Sequence, residues 1–437
     1  MARGEFERRR AALLALVGAG NIAIIAGAEQ ALRNRDVHYP FRQDSDFYYL
    51  TGFNEADALA VFIPGREQGE YVLFCREFDP QKALWEGAHA GLEGAKLDFG
   101  ADQAFPIAEV DKVLPDLLQN KRKVFYPLGR DSELDIKLLE WIHRVRKLSR
   151  SGVSAPTDLA SLEHILHEMR LRKSDAELGL MRRAAAVSAA AHARAMRACR
   201  PGMFEYQIEA ELVHEFASQG LRAVAYPSIV AGGANACVLH YVENSAQLRD
   251  GDLLLIDAGV ECDHYAADIT RTFPVSGRFS QAQKRMYEWV LAAQAAALAE
   301  IRPGAAWNLA HDASVRVLTE GLLDLGLLDG EAADLIRDEK YKRFYMHRVG
   351  HWLGMDVHDV GEYKIDGEWR LLEPGMVLTV EPGLYVPADC VEAALDLRGV
   401  GIRIEDDVLV TESGYEVLTA AAPKSVAEIE ALMQAGD

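Results

Sequence analysis

Five side chains of this 437-residue chain have the types and the setting for metal chemistry: Asp257, Asp268, His351, Glu381 and Glu405. All lie on strand-like apolar segments. A carboxylate at the end of a buried strand is costly unless it is paired, hydrogen-bonded or bound to metal. Taken singly, each acid reads as a helix cap or a surface ion pair. Together, four carboxylates and one imidazole without sulfur form a hard to borderline donor set. Such a set favours Mn, Co or Fe, with Zn possible. Several acids repel one another, so two metals sharing bridging acids is the economical arrangement. Paired metals about 3.5–4 Å apart hold a hydroxide between them and clamp a tetrahedral intermediate.

The elements that must position these residues repeat. Gly251-Asp252-Leu253-Leu254-Leu255-Ile256-Asp257-Ala258-Gly259 lines up with Gly375-Met376-Val377-Leu378-Thr379-Val380-Glu381-Pro382-Gly383, 124 residues later. Each reads as turn, buried apolar strand, acid, any residue, glycine. Asp268 follows Asp257 by 11 residues, room for a hairpin turning near Cys262-Asp263 with Ala267–Phe273 as its return strand. Gly401–Asp407 alternates, which puts Arg403 and Glu405 on one face. Helices repeat as well. Ser174-Asp175-Ala176-Glu177 and Ser280-Gln281-Ala282-Gln283 are capping boxes that open helices ending at Arg200-Pro201-Gly202 and Arg302-Pro303-Gly304. Two related halves facing across one charged site account for this order.

Bulk properties set limits. The net charge of −20 argues against nucleic acid or an anionic membrane as partner and suits a cationic ligand such as a metal ion or a peptide amino terminus. The five scattered cysteines form no CxxC pair, which predicts reduced thiols and a cytoplasmic setting rather than a disulfide framework. Arg8-Arg9-Arg10 before an apolar stretch imitates a signal peptide. Glu5, Glu7, Asn21 and the glycines Gly18 and Gly20 interrupt that pattern, so the expectation is a helix over Phe6–Val17 and a strand over Ile22–Ala26. Before the repeats, strand and helix patterns alternate to about Lys147, and Ser149–Thr157 reads as a polar linker.

These motifs resemble a known family. Ile256-Asp257-Ala258-Gly259, Ala267-Asp268-Ile269-Thr270-Arg271-Thr272, Gly350-His351-Trp352-Leu353-Gly354, Val380-Glu381-Pro382-Gly383 and Ile402-Arg403-Ile404-Glu405-Asp406 are similar, in order and spacing, to the ligand motifs of the pita-bread metallopeptidases. Tyr39–Phe53 at the front and Met346–Asp359 at the back are similar to the aminopeptidase P branch. The resemblance implies an α/β (α+β) chain: an amino-terminal mixed-sheet domain over 1–160 and a catalytic domain over 161–437 with a curved antiparallel sheet. It implies a metal-dependent exopeptidase releasing the first residue from peptides with proline second, two divalent ions (Mn foremost) and a homo-oligomer, dimer or tetramer.

Roles follow from the resemblance residue by residue. Asp257 would bind one metal, Asp268 and Glu405 would bridge, and His351 and Glu381 would complete the second. A bridging hydroxide would attack the carbonyl before proline, with Glu381 as general base and then proton donor. His240 and His358 would hydrogen-bond the substrate and the oxyanion, or else serve as supporting histidines behind it. Arg403 would orient the site, and His347 is either substrate-facing or structural. Trp85 is either an aromatic lent to a substrate pocket, across a subunit boundary, or part of a core. An apolar pocket near His351 and Trp352 would take the pyrrolidine ring. An X-Pro bond has no N–H and a fixed φ, so it needs such a specialised site. Prolidase, restricted to X-Pro dipeptides, and a non-catalytic peptide-binding module are the rival readings.

Overall fold

The computed structural model describes residues 1–435. The chain forms two compact units, one spanning Met1–Met169 and the other running from Arg170 onward.

In the first unit, a helix over Arg3–Val17 leads into a strand over Ile22–Ala26, as the interrupted apolar run predicts. The arginines of the basic triplet are put to structural use. Arg9 lies over the ring of Tyr49 at 4.0 Å and donates to the Tyr49 carbonyl, and Arg10 lies over Tyr71 at 4.7 Å. The six-stranded sheet runs Gln103–Pro106, Tyr71–Cys75, Leu59–Phe62, Ile22–Ala26, Lys123–Tyr126, Asp158–Ser161. It is mixed: Ile22–Ala26 is antiparallel to Leu59–Phe62 and parallel to Lys123–Tyr126. Helices Val110–Leu117 and Ser132–Arg146 cover it, burying Leu114, Leu138 and Trp141 against Ile22, Ile24 and Val61. The stretch read as a linker lies inside this unit. It carries the chain to Asp158–Ser161, which pairs with Lys123–Tyr126 as the last strand.

The second unit opens with the two helix pairs that the Arg-Pro-Gly stops separate, Asp175–Ala198 with Glu205–Ser218 and Gln281–Ala299 with Asn308–Asp324. Both capping boxes form, Ser174 with Glu177 and Ser280 with Gln283. Alanine-rich faces let each pair approach closely, and Ala184, Ala191, Ala195 and Ala293 are all fully buried in the main core. Strands follow each pair. Leu253–Asp257 lies between Ile229–Gly232 and Thr270–Pro274, all antiparallel. Val377–Val380 pairs with Asp406–Val410, and Gly383–Val386 with Val400–Arg403. The two sets meet where Glu405 N–H donates to the Thr270 carbonyl at 3.0 Å.

A buried ionic knot ties that junction. The guanidinium of Arg271 bonds Asp406 at 2.7 Å, and Lys424 reaches the other oxygen of the same carboxylate at 2.6 Å. Both partners of the first pair are fully buried, a costly arrangement that persists only when its hydrogen bonds are complete. Arg271 also donates to the Ala422 and Pro423 carbonyls. All five cysteines are free thiols. Among the described residues no helix is long and apolar enough to cross a membrane.

Candidate metal centre

The hairpin delivers the first two acids. Asp257 pairs with Thr270, and beyond a break the same register continues as Glu261–Ala266 and Cys262–Tyr265. Asp263 and His264 form the turn with φ of 51° and 70°, the left-handed pair that a tight two-residue hairpin requires. Asp268 precedes Thr270 by two residues, so it shares a face with Asp257. Gly259 permits the break, because a Cβ there would stand 1.7 Å from the Ala267 carbonyl oxygen.

The second strand set delivers the other acids. Val380 pairs with Asp406, so Glu381 and Glu405 flank that pair at the same end. His351 is laced to this strand: its N–H donates to Thr379 Oγ1 at 3.1 Å, and its carbonyl accepts from Thr379 N–H at 2.9 Å. Only glycine fits before it, since a Cβ on Gly350 would meet the Thr379 carbonyl oxygen at 1.9 Å.

These groups converge on one cavity of about 550 Å³, lined by Asp257, Asp268, His351, Glu381 and Glu405. Donor atoms of Asp268, His351 and Glu405 all lie within 4.8 Å of one another. Glu381 Oε1 stands 3.8 Å from His351 Nε2, and the Tyr226 hydroxyl links Asp257, at 2.6 Å, to Asp268. His240, His347, His358 and Arg403 line the same cavity. Arg403 donates to Asp257 Oδ2 at 2.7 Å and to the Tyr385 hydroxyl at 3.1 Å. His347 bonds that same hydroxyl at 2.8 Å. The rings of His351 and His358 meet edge to face, with centroids 4.3 Å apart.

The two tryptophans singled out by sequence lie differently. Trp352 is fully buried, 4.1 Å from the Trp307 ring and stacked on Tyr363, so it backs the apolar pocket expected near it without lining it. The apolar wall consists of Trp307, Tyr363, Trp369 and Leu239. Trp85 belongs to no core. It is 89% exposed in the first unit, on the helix Pro80–Glu86, which buries no residue. Sequence reasoning also passed over the supporting polar groups. Thr270 Oγ1 donates to Glu405 at 2.7 Å, and Asp407 accepts from Asp268 N–H. Their alternation with the acids along the strands was the available signal.

Electrostatics make the acids uncomfortable as they stand. Burial, then Asp268 and the other acids, hold the Glu405 carboxyl well above its ordinary range. Burial raises Asp257 against the pull of Arg403, and raises Glu381 to about 7 against His351 and Arg403. Burial alone would lower His351, but the hydrogen bond and charge of Asp268, together with Glu381, push it up to about 9. Four converging acids face Arg403 and His351 as nearby cations, so the cluster lacks compensating charge. Divalent cations supply it, and oxygen-rich donors with one imidazole suit them. His351 presents the correct nitrogen. Its Nδ1–H donates to the Trp352 carbonyl at 2.9 Å, leaving Nε2 toward the acids.

Known proteins share this fold. Residues 179–412 match the metallopeptidase family M24, and residues 6–126 match the aminopeptidase P, N-terminal domain. The Xaa-Pro aminopeptidase of Escherichia coli (strain K12) is 45% identical over all of this chain and 98% of its own length. The structure of Pseudomonas aeruginosa aminopeptidase PepP superposes with a TM-score of 0.98 at 56% identity, covering 100% of this chain and 99% of that one. A Zn-substituted E. coli aminopeptidase P in complex with product gives 0.97 at 45% identity, with the same coverage. The carboxyl-terminal unit thus has the pita-bread fold, the amino-terminal unit is a mixed-sheet domain, and the chain belongs to metallopeptidase family M24.

Proposed function

We propose that this protein is a dinuclear metal Xaa-Pro aminopeptidase, releasing the first residue of peptides with proline in second position. The observation that carries the reading is the convergence of Asp268, His351 and Glu405 within 4.8 Å, in a cavity that Asp257 and Glu381 also line. Asp257 is assigned to one metal, His351 and Glu381 to the other, and Asp268 and Glu405 to both. Mn is the proposed physiological ion. When bound, such a pair makes a water nucleophilic at neutral pH and offsets charge developing on the substrate carbonyl.

The chain's own groups do the rest. Glu381, a buried carboxylate lining the cavity, is assigned to accept the proton of the attacking water and return it to the proline nitrogen. His240 and His358 hydrogen-bond the substrate and the developing oxyanion. Arg403 fixes Asp257 through its 2.7 Å bond and shares the Tyr385 hydroxyl with His347. The aromatic wall of Trp307, Tyr363 and Trp369 gives apolar substrate groups a dry surface.

The first unit, as an amino-terminal domain, is proposed to act in assembly. Leu84 and Trp85 are 85% and 89% exposed on one short helix, more apolar surface than a monomer gains from showing. A homo-oligomer in which Trp85 reaches a neighbouring subunit's pocket accounts for it. Five free thiols fit a cytoplasmic protein.

Metal-stripped protein refilled with Mn tests the reading. An X-Pro dipeptide, an X-Pro-Y tripeptide, a longer X-Pro peptide and an X-Ala-Y control are compared. The expected result is release of the first residue from the two longer X-Pro peptides, abolished by chelator. Cleavage of the dipeptide alone would turn the assignment to prolidase. No turnover with two metals bound would make the protein a binding module.

A further inference from the structure

His240 stands on a segment with no ladder of its own. After the strand Ile229–Gly232 and a short 3-10 turn over Gly233–Cys237, the chain runs without regular structure through His240 to Ala246. Val238, His240, Val242 and Glu243 are exposed, and Leu239 and Tyr241 on either side of His240 are only partly buried, against Ile229, Ala231, Leu255 and Tyr385, so apolar contact holds one face of this stretch and leaves its backbone polar groups to be satisfied elsewhere. A side chain on such a segment keeps a precise place when polar contacts from a rigid element fix the backbone as well.

One carboxylate does this. Glu205, the first residue of the helix Glu205–Ser218, is fully buried. Its Oε1 accepts from Gly232 N–H at 2.7 Å and from Asn235 Nδ2 at 2.9 Å. Its Oε2 accepts from Ala246 N–H at 2.8 Å and from the Tyr241 hydroxyl at 2.8 Å. The four bonds touch the segment where it leaves the strand, within its turn, beside His240, and where it rejoins the helix end. Asn244 adds a second clamp: its Oδ1 accepts from Val230 N–H, and its Nδ2 donates to the Ser228 carbonyl and to Glu209.

We infer that Glu205 is a positioning residue for the peptidase reaction: it holds His240 at the mouth of the metal cavity through Tyr241 and the two ends of the 233–245 segment. The inference rests on the assignment of His240 to substrate and oxyanion binding. A carboxylate is required because all four contacts are donors. Gln would set an amide NH2 against backbone N–H or hydroxyl donors, and at least one buried donor would lose its acceptor.

The test is a double-mutant cycle on Mn-loaded enzyme, with Glu205→Gln, Tyr241→Phe and His240→Ala measured singly, and each of the first two combined with His240→Ala. Expected is a loss of about tenfold or more in kcat/KM for Glu205→Gln, and a smaller loss for Tyr241→Phe. In the His240→Ala background both losses shrink to within about twofold of none, because residues acting through one group are not additive. Metal content is expected to stay at the wild-type level, and amide exchange is expected to quicken in 238–246 while the strand Leu253–Asp257 stays protected. Should Glu205→Gln prove too unstable to purify, Tyr241→Phe carries the same cycle with three of the four bonds intact. Full losses that persist in the His240→Ala background would overturn the inference while leaving the assignment of His240 standing. An inert His240→Ala would instead overturn the role of His240 itself, and the inference with it.

Discussion

His351 Nε2 stands 3.4 Å from Asp268 Oδ2, an imidazole and a carboxylate paired inside the cavity. Burial disfavours charge on both, yet each supports the other: the carboxylate raises the imidazole, and the imidazolium holds the carboxyl low. A metal entering here takes the place of the imidazole proton.

Metal loading should therefore release protons. In the metal-free protein His351 titrates near 9 and Glu381 near 7, and both must be deprotonated to serve as ligands. Titration calorimetry of Mn binding at pH 7, run in buffers of different ionisation enthalpy, should show release of at least about one proton per protein on full loading. Affinity should climb as pH rises from 6 toward 9. A buffer-independent enthalpy with flat affinity would contradict the ligand assignment.

The same shift predicts how the metal-free protein responds to pH. Glu381 lies above the ordinary glutamate value of 4.5, at about 7, so in that window the folded state binds more protons than the unfolded one. Stability is then present below pH 4.5 and is lost as pH rises through 7. Urea unfolding of the chelated protein should show this slope, and Glu381→Gln should flatten it.

Arg403→Met removes the bond to Asp257 and leaves every proposed ligand in the sequence. Loss of such a supporting partner typically costs about 10–100-fold in metal affinity or activity. The affinity can be read from competition with a chelating dye, and the kcat from an X-Pro-Y substrate at saturating Mn. An unchanged metal affinity would mean that Asp257 is held by other means.

His192 predicts an acid-labile core beneath the strand that carries Asp257. Its Nε2–H donates to the Ala258 carbonyl at 3.0 Å, and its Nδ1 is buried without a partner. Burial lowers it from 6.5 to about 4. Its contribution is fully present above pH 6.5 and is lost as pH falls through 4, by up to about 3 kcal/mol. His192→Gln should reduce the decline of the urea midpoint between pH 6.5 and 4.5.

Gly259→Ala and Gly350→Ala should each destabilise by about 1–3 kcal/mol or more, because the added methyl must push a backbone carbonyl aside. The contacts to be relieved are 1.7 Å at Ala267 and 1.9 Å at Thr379. Both variants should also bind metal more weakly, since Asp268 and His351 adjoin the displaced groups.

Much was legible in the sequence because it was local. Capping boxes, Arg-Pro-Gly stops and the hairpin around Asp263 depend on residues a few positions apart, and hydrogen bonding over one turn settles them. The repeated strand-acid-glycine pattern marked Asp257 and Glu381 for the same reason: an acid closing a buried strand has few uses. What tertiary structure decided was everything set by groups distant in sequence. Trp352 follows His351 in the chain yet points into the core, and the cavity wall comes from Trp307 and Trp369 instead. Asp158–Ser161 is a strand because Lys123–Tyr126 offers it a free edge. Glu205 reads as an ordinary first-turn helix acid, and only the fold brings Gly232, Asn235, Tyr241 and Ala246 to its two oxygens. Periodicity and spacing determine which side chains can do chemistry. Long-range packing determines which of them meet, because a buried polar group finds its partners across the whole chain rather than along it.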